Sequence, residues 1–370
     1  YKKQYRNYWH NKFNMQHLAT NETSLIDINN YIRYIQDNHS QLSVQITTTN
    51  RALAAINDNV RISENNSWKQ LIENNEFNPL LNDIAELTNN ISKSSSEMAA
   101  YEEISLQEIN PAESVISKIN EFSQTLSIRQ QNWLLNIGSS LNVITTDIAY
   151  KYLNNIWQNT VMAIFEKKLA GKFPLNKDSK NEIDFSDFEQ FFGPNGILAT
   201  YLNLIEPIHN NKALVSHLTS TNLKAFTTTD KIINSWFDKY KKPRLYMTFI
   251  PVELEKNANK FTLEIGNKKL ELSKNNDKTN EFIWPEHSDN ITTIEFENTL
   301  GQSSIKNKNS PWSLIQLFNE SDIEVNNNEK DFLITFKLDS FRAKYHMMLK
   351  NSFDIKSYGG IAGFDLSKQL

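Results

Sequence analysis

The chain has 370 residues, with 39 Lys plus Arg against 43 Asp plus Glu, a net charge of −4 and no cysteine. That length accommodates two or three domains with cores of their own. Lack of cysteine excludes a disulfide framework, a zinc ribbon, an iron–sulfur cluster and a thiol nucleophile, and the near-neutral charge offers neither a basic nucleic-acid surface nor an acidic disordered tail. The 49 asparagines and the excess of Lys over Arg read as codon pressure. No apolar run approaches the roughly 18 to 20 residues that could span a bilayer, and no signal-peptide core opens the chain.

From residue 1 to about 242 the apolar period is helical. Leu25, Ile28, Ile32 and Ile35 recur at that spacing, as do Leu42, Ile46 and Leu53. Pro111 starts a further helix, whose stripe of Val115, Ile119, Phe122 and Leu126 continues to Trp133 and Leu134. A long segment follows from about Leu141 to Leu169, with Ile144, Ile148, Tyr152, Ile156 and Ile164 on or near one face. The Asn- and Ser-rich stretches Asn59 to Asn66 and Asn89 to Ser96 read as loops.

After Pro243 the period changes from 3.6 to 2. Leu245, Met247 and Phe249 alternate in a strand that Pro251 closes. Phe261, Leu263 and Ile265 form one arm of a hairpin and Leu270 with Leu272 the other, with Gly266 and Asn267 as the turn. Ile294 and Phe296 mark another strand. Phe332, Ile334, Phe336 and Leu338 are answered by Ala343, Tyr345, Met347 and Leu349 in an antiparallel pair, and Pro311 to Phe318 reads as a short helix with Ser310 as N-cap. The expected fold is α+β: an elongated helical bundle or stalk, then a small antiparallel β-sandwich-like domain. The expected division is residues 1–165, 166–242 and 243–370.

The most informative segment runs from Phe173 to Leu198, FPLNKDSKNEIDFSDFEQFFGPNGIL. A helix starts at a capping box of Ser186 and Glu189, or at Asp184 with a staple of Ile183 and Phe188. It runs through Phe191 and Phe192 and ends at a left-handed Gly193, after which Pro194 opens the next helix. Asp184, Asp187 and Glu189 read as capping and dipole-facing carboxylates rather than catalytic acids.

This segment resembles the signature of the C-terminal region of the IcmF family, scaffold subunits of type VI and Dot/Icm type IVB secretion systems. The resemblance rests on Phe173 and Pro174, on Asp187 and Phe188 in the acidic aromatic helix, and on Phe191, Phe192, Gly193, Pro194 and Gly196. Other pieces follow in family order: Tyr5, Tyr8 and Trp9; Ile232 to Phe237; the pair Trp284 and Pro285; Pro311 with Trp312; and Ala343, Tyr345 and the closing Phe353 to Phe364. Ser352 and Leu366 depart from the family pattern, which often has proline at those places.

The resemblance implies a non-enzymatic periplasmic region of an inner-membrane protein, whose preceding part would carry transmembrane helices and a cytoplasmic domain. On this reading residue 1 follows a membrane span. The implied partners are an outer-membrane lipoprotein or another periplasmic subunit, a DotU-like protein through the preceding part, and further copies of the chain; no nucleic acid and no cofactor are expected. Type VI is preferred over type IVB. Polar turns flanking the strands are the expected docking residues: Asn275, Asn276 and Asp277; Glu286 and His287; and Asn326, Asn327 and Asn328.

Other chemistry finds little support. His10 and His17 lack a carboxylate at ligand spacing, and His346 lies on the outward phase of its strand. There is no Gly-x-Ser-x-Gly elbow, and Gly193 with Gly196 lacks the spacing of a phosphate loop. Trp236, Trp284 and Trp312 read as core or interface, with a sugar-binding face beside Asp184, Asp187 and Glu189 as the rival. Lys239, Lys241, Lys242 and Arg244 form a basic cluster that reads as a solvated face. No catalytic, cofactor or metal residue is expected.

Overall fold

The computed structural model describes residues 24–55, 58–105, 111–205, 218–273, 278–285, 291–326 and 330–370. Among them the chain forms two compact units, residues 24–155 and residues 156–205 with 218–370. The expected α+β order holds: helices first, then antiparallel sheets. The units, however, divide at residue 155, and the second takes in both the helices before Pro243 and all the strands after it.

In the first unit α1 (Leu25–Asp37) begins at a capping box. Ser24 Oγ accepts the Asp27 N–H at 3.2 Å while the Asp27 carboxylate accepts the Ser24 N–H at 3.3 Å. Its expected stripe of Ile28, Ile32 and Ile35 is buried, and so are Leu42, Ile46 and Leu53 in α2 (His39–Ala54). Leu42 and Ile46 form a cluster with Ile72, against which Trp68 packs.

The two asparagine-rich loops are mostly helix. α3 (Asn59–Ile72) covers Asn59 to Asn66, and α4 (Phe77–Lys93) extends past Asn89 and Asn90 before a break at Ser94. Asparagine disfavours helices by bonding its own backbone. Here those amides bond other helices instead, Asn65 and Asn66 with Asn50 at 2.9 and 2.7 Å and Asn89 with Arg33 at 3.2 Å. Burial of Leu71 and Ile72 in α3 and of Leu87, Thr88 and Ile91 in α4 then decides for helix.

α5 (Glu97–Ser105) and α6 (Pro111–Ser123) follow. The stripe from Val115 does not run on to Trp133 in one helix. Backbone bonds Thr125 to Phe122 and Leu126 to Ser123 close a turn, and the Gln130 side chain accepts the Ser127 N–H at 3.2 Å as α7 (Ile128–Ile156) begins. The buried side of α7 lies one residue from the expected face, on Leu141, Thr145, Ala149 and Leu153.

The second unit opens with the π-helical turns Trp157–Met162 and Phe165–Leu169. It continues through α8 (Phe185–Phe192), α9 (Ile197–Ile205) and α10 (Ser220–Trp236). Among the described residues nine strands follow: β1 (Leu245–Leu254), β2 (Ala258–Ile265), β3 (Lys268–Ser273), β4 (Asn280–Trp284), β5 (Ile291–Asn298), β6 (Ser303–Asn309), β7 (Asp322–Val325), β8 (Asp331–Leu338) and β9 (Phe341–Leu349). They form a five-stranded sheet in the order β4-β1-β9-β8-β7 and a four-stranded sheet in the order β3-β2-β5-β6. Phe336 and Tyr345 of one sheet meet Phe261 of the other, and Phe341 meets Phe296, the interdigitated core of a sandwich.

The β2–β3 hairpin and the β8–β9 pair stand where expected. Pro251 does not close β1: the strand runs on to Leu254, with an irregularity in its pairing to β9 between Pro251 and Glu253, where a proline without N–H is tolerated. The helix between β6 and β7, α11, spans Ser313–Glu320, two residues later than expected, with Ser310 Oγ accepting the Trp312 N–H at 3.0 Å. Glu320 of α11 holds Lys306 and Lys308 of edge strand β6 at 2.9 and 2.8 Å, and such charges help keep an edge from pairing with another chain.

Candidate functional site

The motif residues converge on one buried aromatic cluster. α8 starts from Asp184, whose carbonyl takes the first intrahelical bond from Phe188 N–H at 2.9 Å, although neither the Asp184 side chain nor Ser186 caps it. The spacing of Phe185, Phe188, Phe191 and Phe192 turns one helical face inward. Phe188, Phe191 and Phe192 are fully buried.

Phe185 stacks on Trp312 at 4.4 Å between ring centroids and meets the edge of Trp284 at 5.4 Å. Phe188 touches Trp312 and Trp236 at 5.4 and 5.3 Å and stacks on Phe237 at 5.8 Å. Trp236, at the end of α10, lies 5.6 Å from Trp312 and 6.2 Å from Trp284. These rings come from α8, α10, β4 and the start of α11, so helices and sandwich share one core.

Directional bonds fix the rings. The Trp312 indole N–H donates to the Ile183 carbonyl at 2.5 Å, and that of Trp236 to the Tyr358 carbonyl at 2.8 Å. Phe173 and Pro174 are buried, and Phe173 brackets the approach to α8 through backbone bonds with Asn181 and Ile183 at 2.8 and 2.9 Å. The Phe173–Pro174 and Trp284–Pro285 peptide bonds are cis. The closing stretch returns to the same place: Phe353 meets Trp236 at 5.1 Å, Phe364 meets Phe192 at 4.9 Å, and the Tyr358 hydroxyl bonds Asn319. Further along, Trp157 donates to the Ser367 carbonyl at 2.9 Å, and Asn222 holds Ser367 and Gln369.

Two details of the motif differ from expectation. Gly193 has φ −60° and ψ 160°, extended rather than left-handed, and α9 begins at Ile197 after a turn through Pro194 rather than at Pro194. Both glycines are required by close approach: a Cβ would come within 2.5 Å of the Glu189 carbonyl at Gly193 and within 2.7 Å of the Phe191 carbonyl at Gly196.

The carboxylates of this segment are held apart by different partners. Asp187 is buried and pairs with Lys168 at 3.3 Å, and Glu189 pairs with Lys242 at 2.6 Å. Trp236, Trp284 and Trp312 are each 0% exposed, so they present no face to a sugar. That removes the tryptophan-lined sugar-binding face that the sequence offered as a rival. No group of three or more His, Asp or Glu that could hold a metal occurs among the described residues, and no helix among them is long and apolar enough to cross a membrane.

Of the expected docking residues, Asn275, Asn276, Asp277, Glu286, His287, Asn327 and Asn328 lie outside the described residues, as do His10, His17, Tyr5, Tyr8 and Trp9. Asn326 is exposed and bonds Asp331 through both its backbone and its side-chain amide at 3.0 Å. That amide, and then His346 facing outward from β9, hold the Asp331 carboxyl below the usual carboxylate range. Sequence reasoning missed Phe185 and Tyr358 as cluster members. The phase of Phe185 with Phe188 and Phe192 would have found the first; nothing in local pattern marks the second.

The fold and the cluster define an α+β protein in which a β sandwich and short helices are built on a common aromatic core. Residues 247–351 match the family described as the type VI secretion protein IcmF C2-like domain. A curated relative, the type VI secretion system component TssM1 of Pseudomonas aeruginosa, is 20% identical over 233 residues, covering 59% of this chain and 21% of that protein. The chain thus spans about a fifth of that relative's length.

Among solved structures, the type VI protein TssM C-terminal domain from EAEC matches with a TM-score of 0.53 and 16% identity, over 60% of this chain and 98% of that one. A chain of a type VI secretion system membrane core complex matches with a TM-score of 0.65 and 14% identity, over 94% of this chain and 88% of that one. A chain of a type VI membrane complex gives 0.66 at 13% identity over 93% and 79%. The chain thus carries an IcmF C2-like domain at residues 247–351 and shares the fold of the TssM C-terminal domain.

Proposed function

We propose that the chain is a structural, non-enzymatic scaffold region of a type VI secretion membrane complex, standing in the periplasm as part of an inner-membrane protein and joining that membrane to outer-membrane components. The observation that carries this is the fold itself, which follows a chain of a type VI membrane core complex over 94% of its length, together with the IcmF C2-like match of the sandwich. Motif residues buried in a core, with their carboxylates in ion pairs, suit a load-carrying part better than an enzyme.

On this reading the partners are an outer-membrane lipoprotein or another periplasmic subunit, a DotU-like protein through the preceding part of the protein, and further copies of the chain. Docking falls to the polar stretches 275–279, 286–290 and 326–329, which the sequence leads us to expect as turns flanking the strands. Deleting these turns one at a time should abolish capture of the purified lipoprotein subunit while leaving the thermal midpoint nearly unchanged. Undiminished capture by all three variants would contradict the docking assignment. Undiminished effector secretion by a strain lacking the whole protein would contradict the scaffold role.

A further inference from the structure

The turn between α10 and β1 holds an exposed aromatic ring in a rigid frame. Tyr240 is 65% exposed, and its neighbours Lys239, Lys241 and Lys242 are exposed as well. Beneath them Asp238 organises the turn. Its carboxylate accepts the N–H groups of Tyr240 and Lys242 at 2.8 and 3.1 Å and the Tyr246 hydroxyl at 2.9 Å. Backbone bonds Lys241 to Asp238 and Asp238 to Lys242 close it at 2.8 and 2.9 Å, and Lys241 takes φ 62° to do so. Lys239 Nζ lies 4.9 Å from the Tyr240 ring centre. A tyrosine fixed before any partner arrives loses little freedom on binding, which is what makes an aromatic residue an interface anchor.

The lysines call for a negatively charged seat. Lys242 is taken up by Glu189 and Arg244 by Asp238, which leaves Lys239 and Lys241, short of the roughly four to eight cations of a lipid-binding cluster, so a protein surface fits better, and this chain carries one of the right kind. On the outward face of the four-stranded sheet, Glu297, Glu295 and Glu264 accompany Glu271, Lys260 and Lys269, as the register of β2, β3 and β5 requires. Glu271 is taken up by Lys260 and Lys269, each at 3.0 Å. Glu264, Glu295 and Glu297 make no ion pair among the described residues. Beside Glu295 across the β5–β6 ladder stands Ile305, 56% exposed.

We propose that the Lys239–Lys242 turn of one copy docks on this acidic sheet face of a second copy, with the Tyr240 ring over Ile305 and Lys239 and Lys241 against Glu264, Glu295 and Glu297. The two surfaces differ, so the contact is head-to-tail and generates a ring or a filament of copies. Exposed charge pairs are individually weak, so the contact forms where copies are already concentrated by assembly. It rests on the scaffold reading above, in which several copies act together.

The absence of cysteine gives a background-free test in the 370-residue chain. One variant carries Lys239→Cys and the other Asn307→Cys, which sits beside Ile305 on the same face; Tyr240 and Ile305 are kept. Mixed and mildly oxidised, they should form a disulfide-linked pair in several-fold higher yield than Lys239→Cys mixed with the exposed Val60→Cys. Adding Tyr240→Ala to the first chain should remove the excess. So should Glu264→Lys with Glu295→Lys in the second, and Lys241→Glu in the first should then restore part of it, with circular dichroism unchanged throughout. Yields equal to the Val60 control, or yields indifferent to the charge reversals, would overturn the proposal. Cross-linking is read on the isolated chain, so it can fail while secretion still depends on the protein, and the reverse.

Discussion

The two compact units reach stability by different means. Residues 24–155 are held by periodic apolar stripes, Ile28 with Ile32 and Ile35, or Leu80 with Ile84 and Leu87, while the polar contacts between helices are largely exposed, such as the amide pair Gln36 with Asn82 at 2.6 Å and the ion pair Lys118 with Asp83 at 2.7 Å. The second unit instead has indole N–H groups donating to carbonyls far away in sequence, Trp312 to Ile183, Trp236 to Tyr358 and Trp157 to Ser367. Stripes tolerate repacking. A bonded tryptophan in a shared core does not, because ring volume and N–H must both be matched.

The largest expected break is Trp312→Ala, which removes a fully buried ring from the centre of the cluster. It should cost the second unit about 3–5 kcal/mol, read by denaturant unfolding, whereas Leu134→Ala, costing about 2–5 kcal/mol in the first unit, should leave the second unit's transition where it was. Next comes Gly196→Ala, whose added methyl has no room against the Phe191 and Gln190 carbonyls; about 1–3 kcal/mol of overpacking cost should appear as a lowered thermal midpoint.

Asp238 gives a pH signature. Burial alone would raise its carboxyl, but the Lys242 N–H, the Tyr246 hydroxyl, the Tyr240 N–H and Arg244 outweigh that and hold it below the usual carboxylate value. Its folded pKa is thus below its unfolded one, so its contribution is complete above about pH 4, the unfolded value, and is lost as pH falls through the folded value. Asp238→Asn should therefore lower stability at neutral pH and flatten its decline in acid, seen as thermal midpoints converging with the parent chain at low pH. The smallest effect is Tyr345→Phe. The Tyr345 hydroxyl is buried among Phe249, Phe261 and Phe336 with no hydrogen-bond partner among the described residues, so its removal should be neutral or stabilising by up to about 1 kcal/mol.

Much of this was legible in the sequence, and the failures have physical causes. Strand period, the Gly266–Asn267 hairpin and the β8–β9 pair follow from local alternation, which the pleat enforces. The asparagine-rich helices were misread because propensity assumes the amide bonds its own backbone, whereas Asn50, Asn65 and Asn66 bond one another. The switch of period at Pro243 marked a change of secondary structure correctly. It does not coincide with a limit of the compact units, because Trp236 and Phe237 on one side pack with Phe188, Trp284 and Trp312. Long-range closure by Tyr358 and Ser367 leaves no local trace, since a carbonyl acceptor is available in every residue.

Native-state hydrogen exchange of the 370-residue chain tests most directly whether the aromatic cluster makes helices and sandwich one body. Protected amides in α8, α10, β1 and β9 should exchange with a common opening free energy, and Trp312→Ala should lower all of them together while leaving α1 and α4 unchanged. Amides of α8 and α10 that open at lower free energy than those of β1 and β9, and that alone respond to the substitution, would contradict it.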